Sequence, residues 1–349
     1  MFTAPPRHPI CAILASVALC ISLTAAGAAQ EVAIPAGDSE NTIQECGGYR
    51  APAFPDLTPL ASGEGTATVP SEFGEVTIPT APAAALGMYT TDVDILIWLG
   101  FPLAASQPIR GVGYETFPCF FPQAPLAEIA AFGNFPDYNY EQILLGEPDF
   151  ILNGLGYDTE VNERLPQIAP TYSVNAFDGR SWQEHFRETA EALGRVDRYE
   201  AWLQIYQARL AEVREVIKDN ADAVVAPLGY WEGTFNSSCY AGVECTVFRD
   251  LGLTIFEGAL ADGGNGVEIS PETVGILKDL DYAFTIVGVG EQGLAEHAQL
   301  MAEAAKNPLW AQLDVVREQH IIPFEMEMVY GSPSGQLAFL EVVAKALSR

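Results

Sequence analysis

Midway along the chain, residues 195–220 read "RVDRYEAWLQIYQARLAEVREVIKDN", with no glycine or proline to interrupt them. Trp202, Ile205, Tyr206, Leu210, Val213 and Ile217 recur there at helical spacing, which predicts one helix over roughly Val196 to Asp219. At ~1.5 Å per residue such a helix runs roughly 30 Å or more. This rod separates two stretches of a different pattern.

Both flanks carry a different pattern. From Ala83 short apolar strands alternate with helices: "AALG", then "TTDVDILIWLG", then "PLAAS", and later "YNYEQILLGEPDFIL". A further helix is expected from Ser181. The same rhythm restarts after the rod with "ADAVVAPLGYW" and continues through "DYAFTIVG" to a final helix at Ser334 to Leu347. Alternation of this kind predicts α/β architecture with mostly parallel sheets covered on both faces. The expected organisation is an N-terminal β/α lobe at 70–194, a linking helix at 195–220 and a C-terminal β/α lobe at 221–349. Residues 30–69, rich in Gly, Pro, Ser and acids, read as an extended or disordered lead-in, and "FGEVTIP" at 73–79 reads as an edge strand.

Residues 1–29 have the form of a secretory signal peptide. Arg7 and His8 precede the apolar run "ICAILASVALCISL", and Ala26-Gly27-Ala28 or Gly27-Ala28-Ala29 offers a small-x-small cleavage site. Cleavage near Ala28 or Ala29 would release an exported, periplasmic chain, with no transmembrane segment in its mature form. The formal net charge is −29, and loss of the leader removes only one base, Arg7. Such a charge argues against nucleic acid, simple anions and anionic membranes as partners. It reads first as a solvated acidic surface, and beyond that as mild attraction for cationic cargo or a basic partner. Of six cysteines, Cys11 and Cys20 fall in the leader. The remaining four suggest two disulfides in an oxidising compartment, Cys239–Cys245 around a short loop and then Cys46–Cys119.

Enzyme motifs are poorly supplied. Gly288-x-Gly290-x-x-Gly293 follows a strand and opens a helix, as a dinucleotide fingerprint would, and leaves a nucleotide-dependent oxidoreductase as the alternative reading. "GSPSG" at 331–335 resembles a nucleophile elbow but has Pro333 where the serine belongs. Outside the leader there are only three histidines, His185, His297 and His320. None has metal-ligand spacing, and the first two read as surface residues, so neither a metal site nor a resident cofactor is expected. What recurs at strand-to-helix loops is aromatic and sulfur-bearing: Met88 and Tyr89, Arg110 and Tyr114, Asn153 and Tyr157, Tyr230 and Trp231, then Met326, Met328 and Tyr330. Placed at the same topological position in both halves, these residues predict a groove for a bulky organic molecule that is held and not transformed.

The pieces "GEVTIPTAPAAALGMYTTDVDILIWLG", "YNYEQILLGEPDFIL", "LPQIAPTY", "ETAEALGRVDRYEAWLQIYQARL", "SPETVGILKDLDYAF" and "NPLWAQLDVVREQHI" stand in an order that resembles the class III substrate-binding proteins of ferric-siderophore and cobalamin ABC importers. The resemblance covers residues 70 to 349 and lies nearest the siderophore branch. It implies two Rossmann-like lobes joined by a single long α-helix, with a ligand cleft between them and limited closure. It also implies a monomer that binds an iron(III)-siderophore and docks on the permease through Glu141 and Glu272, one on each lobe. Haem and cobalamin are the other cargoes such a cleft could take. A basic residue is usual before the first core strand of the family, and "APAAALG" has none.

Overall fold

The computed structural model describes residues 45–46, 49–50, 54–111, 113–240 and 242–348. The expected leader and its cleavage site lie outside them. Among the described residues no helix is long and apolar enough to cross a membrane.

Before the first lobe, Thr66–Ser71 and Gly74–Pro79 form an antiparallel hairpin. The expected lone edge strand is its second arm. Residues 54–65 form no helix or strand, as an extended lead-in would, but part of this stretch is anchored. Phe54 and Leu57 are buried in the main core, and the Leu60 N–H donates to the Gly100 carbonyl at 2.9 Å. Two apolar anchors hold this stretch despite its composition. The Cys46–Cys119 disulfide ties the segment preceding it to the first lobe.

In the first lobe the strands Ala85–Gly87, Phe150–Asn153 and Thr171–Ser173 pair in parallel, and so do Ser106–Gly111 and Ala130–Phe135. The two ladders meet at a bridge between Ala85 and Leu103, sealed by Gln107. Its buried side-chain amide donates to the Ala85 carbonyl at 2.8 Å and accepts the Gly87 N–H at 3.0 Å. That side chain satisfies the Gly87 N–H and adds a second donor to the Ala85 carbonyl, which also accepts the Ala104 N–H at 2.8 Å.

In the second lobe Thr254–Ile255, Val224–Pro227, Tyr282–Val287 and Ile321–Glu325 stand side by side in that order, all parallel. A small antiparallel sheet of Gly229–Trp231, Thr234–Ser237 and Val267–Ile269 is appended to it. No ladder among the described residues joins the sheets of the two lobes. Packing explains one glycine of the Gly288 loop: a Cβ on Gly293 would lie 2.0 Å from the Gly288 carbonyl oxygen, so that position must lack a side chain for helix Gly290–Ala304 to start against the strand end.

The linking helix runs over Val196–Val216, 21 residues, and a 3₁₀ turn at Lys218–Asn220 follows it. It ends slightly before the expected Asp219. Its buried face carries Tyr199, Trp202, Tyr206, Leu210 and Val213. Trp202 stacks on Tyr206 at 5.3 Å and meets Trp182 and Phe186 of helix Trp182–Ala192 edge-on. On the other side Tyr206 donates to the Asp250 carboxylate of helix Val243–Leu251 at 2.8 Å. One stripe of side chains thus grips a helix from each lobe.

The C-terminal helix, Pro333–Leu347, is buried along its length except at Lys345. Its first turn is capped from within by Ser332 and from the first lobe by Asp94, whose carboxylate accepts both the Ser334 N–H and hydroxyl at 2.7 Å. Arg209 of the linking helix meets Glu341 in a two-pronged, buried ion pair at 2.5 and 2.7 Å. The main core runs without a break from Phe150 in the first lobe, through these two helices, to Phe284 in the second. Such a shared core resists the lobes swinging apart.

Candidate functional site

The strand Ala85–Gly87 is buried and ends where the chain turns into helix Thr90–Trp98. Asp92, at the third helical position, is fully buried. It accepts the N–H groups of Tyr89 at 3.1 Å and of Gly154 at 3.0 Å, and so clamps two strand-end loops together. Burial pushes its carboxyl up to about 7, against the pull of those hydrogen bonds. Clamped this way, the turn sends the Tyr89 ring outward, and the residue before it inward.

That inward residue is Met88. It has no exposed surface and packs in a core cluster of the first lobe, with its carbonyl accepting from Asn134 at 2.9 Å. Met328 and Asn153 are equally buried. Asn153 donates to the Ser173 hydroxyl at 3.0 Å and accepts the Leu155 N–H at 3.1 Å. The expectation of ligand contact by Met88, Asn153 and Met328 is therefore corrected: these side chains shape the loops from beneath. A thioether beside a strand end serves packing, and an asparagine there ties the turn.

Tyr89, Arg110 and Tyr330 are brought together. The Arg110 guanidinium, at the end of strand Ser106–Gly111, donates to the Tyr89 hydroxyl and pairs with the Glu327 carboxylate from the second lobe. Its carbon lies 4.4 Å from the centre of the Tyr330 ring and 5.2 Å from that of Phe135. Burial pulls the Arg110 guanidinium down, but Tyr89 and Glu327 beside it outweigh this, so it is raised and stays charged. Tyr89 meets Tyr330 edge-on at 5.7 Å, Phe177 links both, and Tyr157 meets Phe177 at 5.6 Å. Tyr157 and Phe135 are more than two-fifths exposed, at 55% and 45%, and form the rim. A narrow crevice with about 20 Å³ of free space runs between Tyr89, Phe177, Trp182 and Tyr330.

Gly331 makes this possible at the second lobe's edge. Its φ of +72° belongs to the left-handed region, and a Cβ there would lie 2.5 Å from Trp182. A glycine is what lets the chain pass from Tyr330 into helix Pro333–Leu347 against Trp182. Tyr114 lies just behind this site, 6% exposed, beside Glu325 and Glu327. Glu325 is buried and its Oε1 has no hydrogen-bond partner; burial and the neighbouring Glu327 push its carboxyl up to about 7.

Tyr230 and Trp231 do not join this cluster. Tyr230 packs on Phe235 at 4.6 Å, while Trp231, 71% exposed, stands on the hairpin that follows strand Val224–Pro227. That hairpin lies at the carboxyl end of the parallel sheet, the end at which Glu325 also lies. Sequence reasoning missed Phe135, Phe177, Asp92, Glu325 and Glu327. Phe177 follows a short strand, as Tyr89 does, and position alone could have found it. The two glutamates are hidden in "FEMEMVYG", where the methionines stand out, but Glu327 meets the arginine and Glu325 lies beside Glu327.

The histidine expectations divide. His185 is 3% exposed and meets Asp178 at 2.9 Å, so it is not a surface residue, whereas His297 is half-buried against Thr285. Among the described residues no group of three or more His, Cys, Asp or Glu is placed to hold a metal ion. Cys239 and Cys245 are joined, closing the loop between them. Glu141 is exposed in the first turn of helix Tyr140–Leu145. Glu272 is exposed in a turn, ahead of a 3₁₀ helix at Val274–Leu277 and not at an α-helix start.

Parallel sheets on either side of a shared helical spine, with aromatic side chains gathered at their carboxyl ends, give a two-lobed α/β fold. The family model for periplasmic binding proteins matches residues 90–325, and the chain belongs to that family. An iron-uptake system-binding protein of Bacillus subtilis is 22% identical over 282 residues, which are 79% of this chain and 84% of that protein. Among solved structures, a FhuD fold-family component of a Fep/Fec-like ferrichrome ABC transporter from Bacillus subtilis superposes with a TM-score of 0.62 at 21% identity, covering 80% of this chain and 99% of that one. Staphylococcus aureus SirA, complexed with staphyloferrin B, gives 0.62 at 18% identity, covering 80% and 97%. The fold is thus shared by proteins whose chelates differ.

Proposed function

We propose that this periplasmic binding protein captures an iron(III)-siderophore outside the cytoplasm and delivers it to the permease of an ABC importer. The observation that carries the reading is the ring cluster of Tyr89, Phe177 and Tyr330 around Arg110, built from both lobes at the carboxyl ends of their sheets. Rigid aromatic rings supply contact area at low entropy cost, which suits the organic shell of a metal chelate. Iron stays wrapped in its chelator, so the protein supplies no ligand to it and catalyses nothing. Trp231 closes the cargo from the opposite side, with Tyr230 behind it and Tyr114 supporting the floor. Similarity to an iron-uptake binding protein supports this choice of cargo. The Gly288 loop adds little reason to expect a nucleotide, because Gly293 answers to packing and Gly290 to a left-handed backbone turn.

Delivery runs through Glu141 and Glu272, one on each lobe, both exposed. Leu144 and Leu145 beside the first, and Ile276 beside the second, are exposed apolar residues that a docked permease would cover. The protein acts as a monomer. Calorimetric titration of the purified protein with a panel of ferric chelates tests the reading: saturable one-to-one binding of at least one is expected, and no binding of any would overturn it.

A further inference from the structure

The charges of the cleft say what kind of chelate it takes. Arg110 is the one base among the described residues in contact with the ring cluster, and it is already committed to Glu327 and to the Tyr89 hydroxyl. The crevice beside it is lined by no lysine or arginine. Bases elsewhere on the first lobe are held by their own acids: Arg164 by Glu160, Arg180 by Asp178 and Glu188. Against this stand three buried carboxyl groups: Asp92 in the crevice wall, and Glu325 and Glu327 behind the ring cluster, outside the crevice lining. Asp92 accepts two backbone N–H groups on one oxygen, while Glu325, 4% exposed, lies beside Glu327 and Tyr114 with its Oε1 lacking a close hydrogen-bond partner. The whole chain is strongly acidic as well.

We propose that this cleft selects neutral or positively charged ferric chelates over anionic ones. The inference rests on the siderophore-binding reading above and narrows it to a charge class. Singly charged hydroxamate groups, three to an iron, balance the ferric ion and leave a neutral complex; a pendant ammonium makes it cationic. Catecholate or hydroxycarboxylate groups leave a net negative complex. A neutral chelate stacks on Tyr89, Phe177 and Tyr330 without disturbing the ion pair. An ammonium-bearing one also offers a hydrogen bond to the free Glu325 oxygen. An anionic chelate must either meet buried like charge or pull Arg110 away from Glu327, stranding that carboxylate.

The experiment is a calorimetric titration of the wild-type protein with four probes at low and high salt. These are a neutral ferric trihydroxamate, a ferric trihydroxamate with a free ammonium, a ferric triscatecholate and ferric citrate. Both hydroxamates are expected to bind at least about tenfold more tightly than either anion. Added salt should weaken the cationic probe and narrow its advantage over the anions. Glu325→Gln should reduce the preference for the ammonium-bearing probe over the neutral one by about tenfold. An anionic chelate that binds as tightly as the neutral hydroxamate overturns the proposal while leaving siderophore binding intact. Failure of all four to bind overturns the proposed function and the selection together.

Discussion

Arg110→Met tests the physics of the site without any ligand. Arg110 is 6% exposed and Glu327 2%, and they belong to different lobes. Removing the guanidinium leaves Glu327 as a buried carboxylate with no counter-charge, which costs about 3–5 kcal/mol for a broken buried pair. The loss has an escape. Burial already holds the Glu327 carboxyl above its ordinary value, and Arg110 is what pulls it back down. Without Arg110 the folded state prefers protonated Glu327, so the penalty is fully felt only above the raised pKa and fades as pH falls towards the unfolded carboxyl range. Urea unfolding at pH 8 and at pH 5 should therefore show a loss of about 3 kcal/mol or more at the higher pH and a clearly smaller one at the lower. The double variant Arg110→Met/Glu327→Met should recover most of the stability at pH 8, because neither charge is then stranded. An equal loss at both pH values, or a loss at pH 8 of less than about 1 kcal/mol, would refute the account of Arg110 and Glu327 as a desolvated pair spanning the lobes.

Four further outcomes are expected. Tyr330→Ala and Trp231→Ala should each weaken binding of a ferric chelate by about 1–3 kcal/mol in calorimetric titration, while Met88→Leu should leave affinity unchanged. Trp202→Ala should cost about 3–5 kcal/mol in urea unfolding, since that ring fills the junction of the linking helix with both lobes. Glu141→Arg and Glu272→Arg should each lower iron uptake in cells with little change in chelate affinity; equal loss of both would show that neither acts in docking. The wild-type protein should melt at higher temperature at pH 5 than at pH 8. Asp92, Asp94, Glu244 and Glu325 all have folded values pushed up to about 7 by burial. Their raised values favour the protonated folded state, so stability is lost as pH rises from the unfolded carboxyl range to about 7, and a Tm that climbs over that interval would contradict it.

The architecture was legible because it is written in periodicities. An apolar stripe uninterrupted by Gly or Pro at 196–217, between two stretches of short apolar strands, leaves few arrangements other than a rod and two sheets. The site was legible only by position. Sequence order puts Met88 next to Tyr89, but it does not say which of the two faces out. That is decided by the Asp92 clamp on the turn, a contact with Gly154 far along the chain. The same holds for Glu325 and Glu327, which gain meaning only when Arg110 arrives from the other lobe. The anchoring of residues 54–57 was also unreadable, since it depends on two side chains, Phe54 and Leu57, in an otherwise polar stretch.

The most direct measurement is an iron anomalous-difference map from crystals of the protein grown with a ferric trihydroxamate. The account predicts one iron peak in the cleft, with chelator density against Tyr89, Phe177 and Tyr330 on one side and Trp231 on the other, and no protein oxygen or nitrogen bound to the metal. Iron seated elsewhere on the surface, or bound directly by protein carboxylates, would contradict it.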